Sequence, residues 1–269
     1  MRVAFVCAFV AACGLFPDVG DFSADGGSDG TALDGAGADA GADAGGDATE
    51  TVPCPDGGGP SMVSVGPFCI DSTEVTAAQY EAFTAASPPL SLLPPLCAFK
   101  TGWTSSQYAG ALPIREIDWC DAYAFCKWAG KRLCGDVDGG PSEFQGYTSS
   151  NNEWFYACTA DGSRLYPYGN GYDGGVCNDV DYGVGTTIPV ASDDSCVGGF
   201  PGVHDMAGNV WEWEDSCADD GGAGDLCRVR GGCWVDGASQ TACAFDSFDH
   251  FTTTRGSPSS FVGFRCCAP

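Results

Sequence analysis

GVHDMAGNVWEWEDS, residues 202–216, brings two carboxylates, Asp205 and Glu212, to either side of a Gly208-Asn209 pair. Glycine and asparagine both tolerate left-handed backbone, so the pair marks a tight turn. Trp211 and Trp213 flank Glu212. The plain reading is a structural turn whose two indoles pack into a core. The other reading gives the loop chemistry of its own, and the surrounding sequence has to decide between them.

Downstream, RVRGGCWV (228–235) and FVGFRCC (261–267) carry short β signals, and Cys233 falls on the first of these strands beside glycines that keep it close to the core. Upstream, Thr76 with Gln79 three residues on is a capping-box signature, and it predicts a helix over 77–85 that turns Tyr80 and Phe83 inward. Prolines 88, 89, 94 and 95 forbid regular structure until about residue 97. Asp118 is a suitable N-cap for a second helix, in which Trp119, Ala122, Tyr123, Cys126 and Ala129 recur at helical spacing before Gly130 ends it. Ser150 and Glu153 form a further capping box, predicting a helix over 151–159. Glu153 is read as a cap and not a general base, since no histidine or second carboxylate lies beside it. Trp119, Trp128, Trp154 and Trp234 sit on predicted helix or strand faces and are assigned to core packing. The sum is an α+β domain, coil-rich and punctuated by Gly and Asp, with cysteines as its fixings.

Of 269 residues, the first fifty do not look foldable, which leaves one sizeable domain. Residues 1–12 read as a signal peptide: Arg2 precedes an apolar run too short to span a bilayer. That run ends in Val10-Ala11-Ala12-Cys13-Gly14, which resembles the lipobox of bacterial lipoproteins, so Cys13 is expected to be the lipidated mature N-terminus. Residues 13–52, almost wholly Asp, Gly, Ala, Ser and Thr from residue 21, read as a disordered tether, and 53–269 as the folded domain. The net charge of −25 argues against a nucleic-acid partner. Fifteen of seventeen cysteines lie at or beyond Cys54, which fits an oxidising exterior and a disulfide framework. The expected address is therefore extracytoplasmic, anchored through the N-terminal lipid alone to an outer membrane or cell surface. Fifteen is odd, and Cys233 is the first candidate for the unpaired thiol.

FCIDSTEVTAAQYEAF, WCDAYAFCKWAGKRL, YPYGN, GVHDMAGNVWEWEDS, RVRGGCW and FVGFRC follow one another in this chain. Together they resemble the formylglycine-generating enzyme family, also called the sulfatase-modifying factor domain, a variant of the C-type lectin-like fold. The likeness covers residue 61 to the C-terminus. Active members are copper-dependent oxidases that convert a cysteine in a Cys-x-Pro-x-Arg stretch to formylglycine, holding Cu(I) between two soft thiolates. Those cysteines follow the aromatic of a GGS-aromatic motif by two and seven residues. Counted from Trp234, the positions here are Asp236 and Thr241, and the motif serine is Cys233. Hard oxygen donors have little affinity for Cu(I), so copper is not expected.

The resemblance also implies two disulfides, Cys126 with Cys266 and Cys158 with Cys243. Spacing alone leaves connectivity open, with Cys177–Cys196 and Cys217–Cys227 among the further possibilities. It implies a structural calcium ion in the opening loop, held by Asp205, Gly208, Val210 and Glu212, since calcium takes a hard shell of oxygens. A second calcium site at Asn178 and Asp179 lacks an aligned downstream acid. Two functions follow as expectations. The first is a lipid-anchored, non-catalytic module that binds a peptide or glycan. The second is a formylglycine-generating or related sulfur-oxidising oxidase, using Cys233 as its thiol.

Overall fold

Helix α1 (Ala77–Ala85) begins where Thr76 and Gln79 bond reciprocally: Thr76 Oγ1 accepts from Gln79 N at 3.2 Å and Gln79 Oε1 from Thr76 N at 2.8 Å. That satisfies two of the donors a helix start leaves orphaned. Helix α2 (Trp119–Trp128) is boxed the same way by Asp118 and Asp121. Lys100 Nζ, 2.8 Å from each carboxylate, offsets their charge. Tyr80 and Phe83 of α1 pack on Phe125 of α2, and Phe125 meets Phe264 edge-on at 5.3 Å.

The structure, a computed structural model, describes residues 53–146, 148–245, 247 and 253–269. The expected signal peptide, Cys13 and the tether lie outside the described residues. Four short strands, β1 (Met62–Ser64), β2 (Cys69–Asp71), β3 (Arg132–Leu133) and β7 (Cys266–Ala268), form one antiparallel sheet in the order β1-β2-β7-β3. A second sheet, β5-β4-β6, is built from β4 (Trp211–Cys217), β5 (Cys227–Arg230) and β6 (Val262–Phe264). Its β4–β6 pair is parallel and its β4–β5 pair antiparallel. Helix α3 (Glu153–Thr159) and two 3-10 turns, Leu90–Leu92 and Pro95–Cys97, complete the regular elements of the described residues in this coil-rich α+β fold. The prolines expected to forbid regular structure there instead start these turns, where a missing N–H costs nothing.

Adjacent residues on a strand face opposite ways. Cys266 accordingly bonds Cys126 in the larger core, around α1 and α2, while Cys267 bonds Cys134 in a second core with Phe68, Trp154 and Met206. The strand β7 is thus stapled through both faces, and it fixes the two cores to one another. Further bridges join Cys54–Cys69, Cys97–Cys120, Cys158–Cys243, Cys177–Cys196 and Cys217–Cys227. Among the described residues, Cys233 is the free cysteine.

Two local expectations are corrected. Helix α3 starts at Glu153 with Asn152 as N-cap, its Oδ1 accepting from Phe155 N at 2.7 Å. Asn152 outcompetes Ser150 because its Nδ2 is also held, by Ser142 Oγ at 3.1 Å and by Glu214. Glu153 is not the cap. It turns to Arg132 and accepts from Gly135 N at 2.9 Å. The strand β5 ends at Arg230, so Cys233 does not lie on it: Gly231 and Gly232 have φ of +91° and +72°, which leave the extended region.

Candidate functional site

The glycine pair brings the segment after β5 against its neighbours. A Cβ on Gly232 would stand 3.0 Å from Thr241 Cγ2 and 3.1 Å from Gln240 O. Gly231 O accepts from Gly208 N at 2.8 Å, which ties this segment to the 202–216 loop. Cys233 follows immediately. Its backbone N and its Sγ both donate to Asp236 Oδ2, at 2.9 and 3.0 Å, and Asp236 N donates back to Cys233 O. Thr241 Oγ1 donates to Gly237 O at 3.1 Å. Cys243 is consumed by its bridge to Cys158, so Cys233 and Cys243 are not a thiol pair.

Burial, and next the Asp236 carboxylate, push the Cys233 thiol far above its ordinary range. A thiol held protonated is neither nucleophile nor soft ligand. The positions where copper cysteines would stand carry a 4 % exposed aspartate and a 1 % exposed threonine, both committed to turn hydrogen bonds. This donor set does not fit Cu(I). Beside it, the Trp234 ring lies 5.0 Å from Phe261, and the Arg115 guanidinium is sandwiched 4.8 Å from Trp234 and 4.1 Å from Tyr108.

Asn209, at φ +60°, is the hub of the 202–216 loop. Its Oδ1 accepts from Asn178 Nδ2 and Ile188 N, each at 3.0 Å, and its Nδ2 donates to Glu74 Oε1 at 2.9 Å. Glu74 is fully buried, and sequence reasoning missed it. The available signal was an acid between a β run and a capped helix, in IDSTEVT. Burial first, and then the Asp205 and Glu212 carboxylates, hold the Glu74 carboxyl well above its usual range. Burial likewise raises Asp205, whose Oδ2 accepts from Ala191 N at 2.6 Å.

Glu212 is spoken for. Arg265 grips it with Nε on Oε2 and Nη2 on Oε1, both at 2.7 Å, and Trp154 Nε1 donates to Oε2 at 2.9 Å. Arg265 is itself fully buried; burial works against its charge, but Glu212, then Glu74 and Asp205, more than offset that. Three donors thus fill the carboxylate that the expected calcium shell needs, and a guanidinium brings its charge to the carboxylates a divalent ion would join. Of the expected shell of Asp205, Gly208, Val210 and Glu212, Glu212 is thus already taken up in this arrangement, whereas Glu74 Oε2 and Asn178 Oδ1 beside the loop are buried without a hydrogen-bond partner among the described residues. At the second expected site, Asp179 accepts from Tyr172 Oη at 2.7 Å and from the backbone N of Asp181 and Tyr182, and Asn178 Nδ2 is turned to Asn209. Trp211 and Trp213 are 1 % exposed, so both indoles are core.

The fold and these blocks define a domain of the sulfatase-modifying factor type. The family model of the Sulfatase-modifying factor enzyme 1-like domain matches residues 36–268, and the chain belongs to that family. The inactive C-alpha-formylglycine-generating enzyme 2 of Mus musculus is 32% identical over 171 residues, 58% of this chain and 49% of that protein. The formylglycine-generating enzyme of the same organism is 30% identical over 189 residues, 58% of this chain and 44% of its own. The chain therefore spans about half the length of the curated relatives it matches. Among solved structures, that of CarF shares the fold at a TM-score of 0.51 and 23% identity, covering 75% of this chain and 86% of that one.

Proposed function

We propose that the chain is a non-catalytic binding module of the sulfatase-modifying factor family, held outside the cytoplasm by a lipid on Cys13. The observation that carries the non-catalytic part is the Cys233–Asp236 turn. Where two thiolates would hold Cu(I), a carboxylate accepts from a protonated thiol and Thr241 bonds Gly237 O, so soft donors are missing from both positions. On this reading the 202–216 loop is held by Arg265 as an internal counter-ion and takes no calcium. The seven bridges among the described residues suit an oxidising compartment.

The test is direct. The folded protein is incubated with Cu(I), oxygen and a Cys-x-Pro-x-Arg peptide, and the peptide is weighed for aldehyde. No product above a metal-free control is expected. Aldehyde that is lost in Cys233→Ala would establish the oxidase instead.

A further inference from the structure

A cavity of about 500 Å³ opens beside the N-terminus of α2, away from the Gly231–Cys243 segment. Its walls mix two chemistries. Leu96, Trp119, Pro141 and Phe144 supply apolar and aromatic surface, while Glu143, Asp215, Asp219 and Asp220 supply carboxylates. None of these four acids forms an ion pair or accepts a side-chain hydrogen bond among the described residues.

The cavity is built by the fold. Asp215 N donates to Cys134 O at 2.7 Å and Ser142 N to Asp215 O at 2.8 Å, so β4 fastens the 134–152 segment that carries Phe144. Phe144 is clamped in turn by Arg228, 5.0 Å over its ring, with Nη2 on Phe144 O at 2.6 Å. The one basic group in the lining, Arg255, is 2 % exposed and already engaged. It binds Asp225, the carbonyls of Gly222 and Asp219, and the face of Trp119 at 5.2 Å, yet its Nε finds no acceptor. The four acids outnumber Arg255, so the lining is net negative, while the unmatched Arg255 Nε calls for an acceptor such as a peptide carbonyl.

Such a cavity favours a cation with an apolar stem. A metal ion fits it poorly, because calcium needs six to eight converging oxygens. Among the described residues, the one group of three metal-ligating side chains with ligand atoms within 4.8 Å of one another is Cys134, Glu153 and Cys267, of which two are bridged to each other. The acids of the cavity are thus spread around it. We propose that the cavity binds a basic side chain, arginine or lysine, of an extended polypeptide: the stem lies on Phe144 and Pro141, the charged head meets Asp215, and the exposed acids hold the rim. This goes beyond the binding-module reading by naming a site and a ligand class. The aldehyde assay and the binding assay fail independently of each other.

The probes are acetyl-arginine-methylamide, acetyl-lysine-methylamide and acetyl-norleucine-methylamide, titrated by calorimetry into the intact protein. The two basic probes are expected to bind and to weaken with salt, and norleucine to fall at least about tenfold short. Asp215→Asn should lose about tenfold in affinity; Asp220→Asn, a change at an exposed site that leaves folding intact, should lose less and flatten the salt dependence. Equal binding of norleucine, no binding by any probe at about 10 mM, or displacement of the basic probes by submillimolar calcium would each overturn the proposal.

Discussion

Arg265 and Glu212 face each other in a fork, Nε to Oε2 and Nη2 to Oε1, both at 2.7 Å, and both residues are at most 1 % exposed. The guanidinium also bonds Asp71 O at 3.1 Å and His204 O at 2.9 Å. It therefore links β4, β2 and the segment before the Gly-Asn turn. Arg265→Met removes the charge but keeps most of the volume, and it leaves Glu212, Glu74 and Asp205 buried without their cation. We expect a loss of about 3–5 kcal/mol in denaturant unfolding. Glu212→Gln together with Arg265→Met should recover part of that loss. If the single change costs less than about 1 kcal/mol, the pair is not the counter-ion assigned to it.

The same pairing predicts indifference to calcium. A bound ion stabilises a fold in proportion to the logarithm of its excess over Kd, so a structural calcium site would show as a rise in Tm. The expected outcome is the same Tm in EGTA and in millimolar calcium. A reproducible rise with calcium, abolished in Asp205→Asn, would return the 202–216 loop to metal binding.

Cys233 is predicted to be inert in the native protein. Its thiol is 1 % exposed and bonded to Asp236 Oδ2, whose negative charge opposes a thiolate. Iodoacetamide at pH 8 should leave the Cys233 peptide unmodified until denaturant is added, and mass spectrometry of that peptide reads the outcome. Asp236→Asn removes the opposing charge and should speed labelling. Fast labelling of the unaltered native chain would mean that the thiol is accessible and activated.

The parts of this fold that were legible in the sequence are those fixed within a few residues. The Thr76–Gln79 box sets the start of α1, and the block order identifies the family, because each depends on local pattern. The Arg265–Glu212 contact spans 53 residues and the Asn209–Glu74 contact 135, and no periodicity encodes either. The start of α3 was misplaced because Ser150 and Asn152 are both good caps, and tertiary partners chose between them. Gly231 and Gly232 carried a readable signal against a continuous strand, since two glycines permit left-handed φ. Their β-rich neighbours, Arg228 to Arg230 and Trp234, obscured it.

Asp215 gives the stability a pH dependence of known sign. Burial, the largest cause, raises its carboxyl from 3.8 to about 6; Arg132, Arg255 and Lys127 oppose that rise and Glu214 adds to it. A folded pKa above the unfolded one means that the native state binds the proton more tightly. The stabilisation is therefore complete below the unfolded value and is lost as pH rises through about 6. Asp215→Asn cannot titrate, so the stability of the unaltered protein relative to this variant should be greatest near pH 4. It should decline by up to about 3 kcal/mol by pH 7.5, as read by urea unfolding at each pH. A relative stability that instead rises over this range would mean that the carboxylate is favoured in the fold. The cationic side chain proposed for the cavity should do just that when bound, so repeating the titration with saturating acetyl-arginine-methylamide should reduce or reverse the slope.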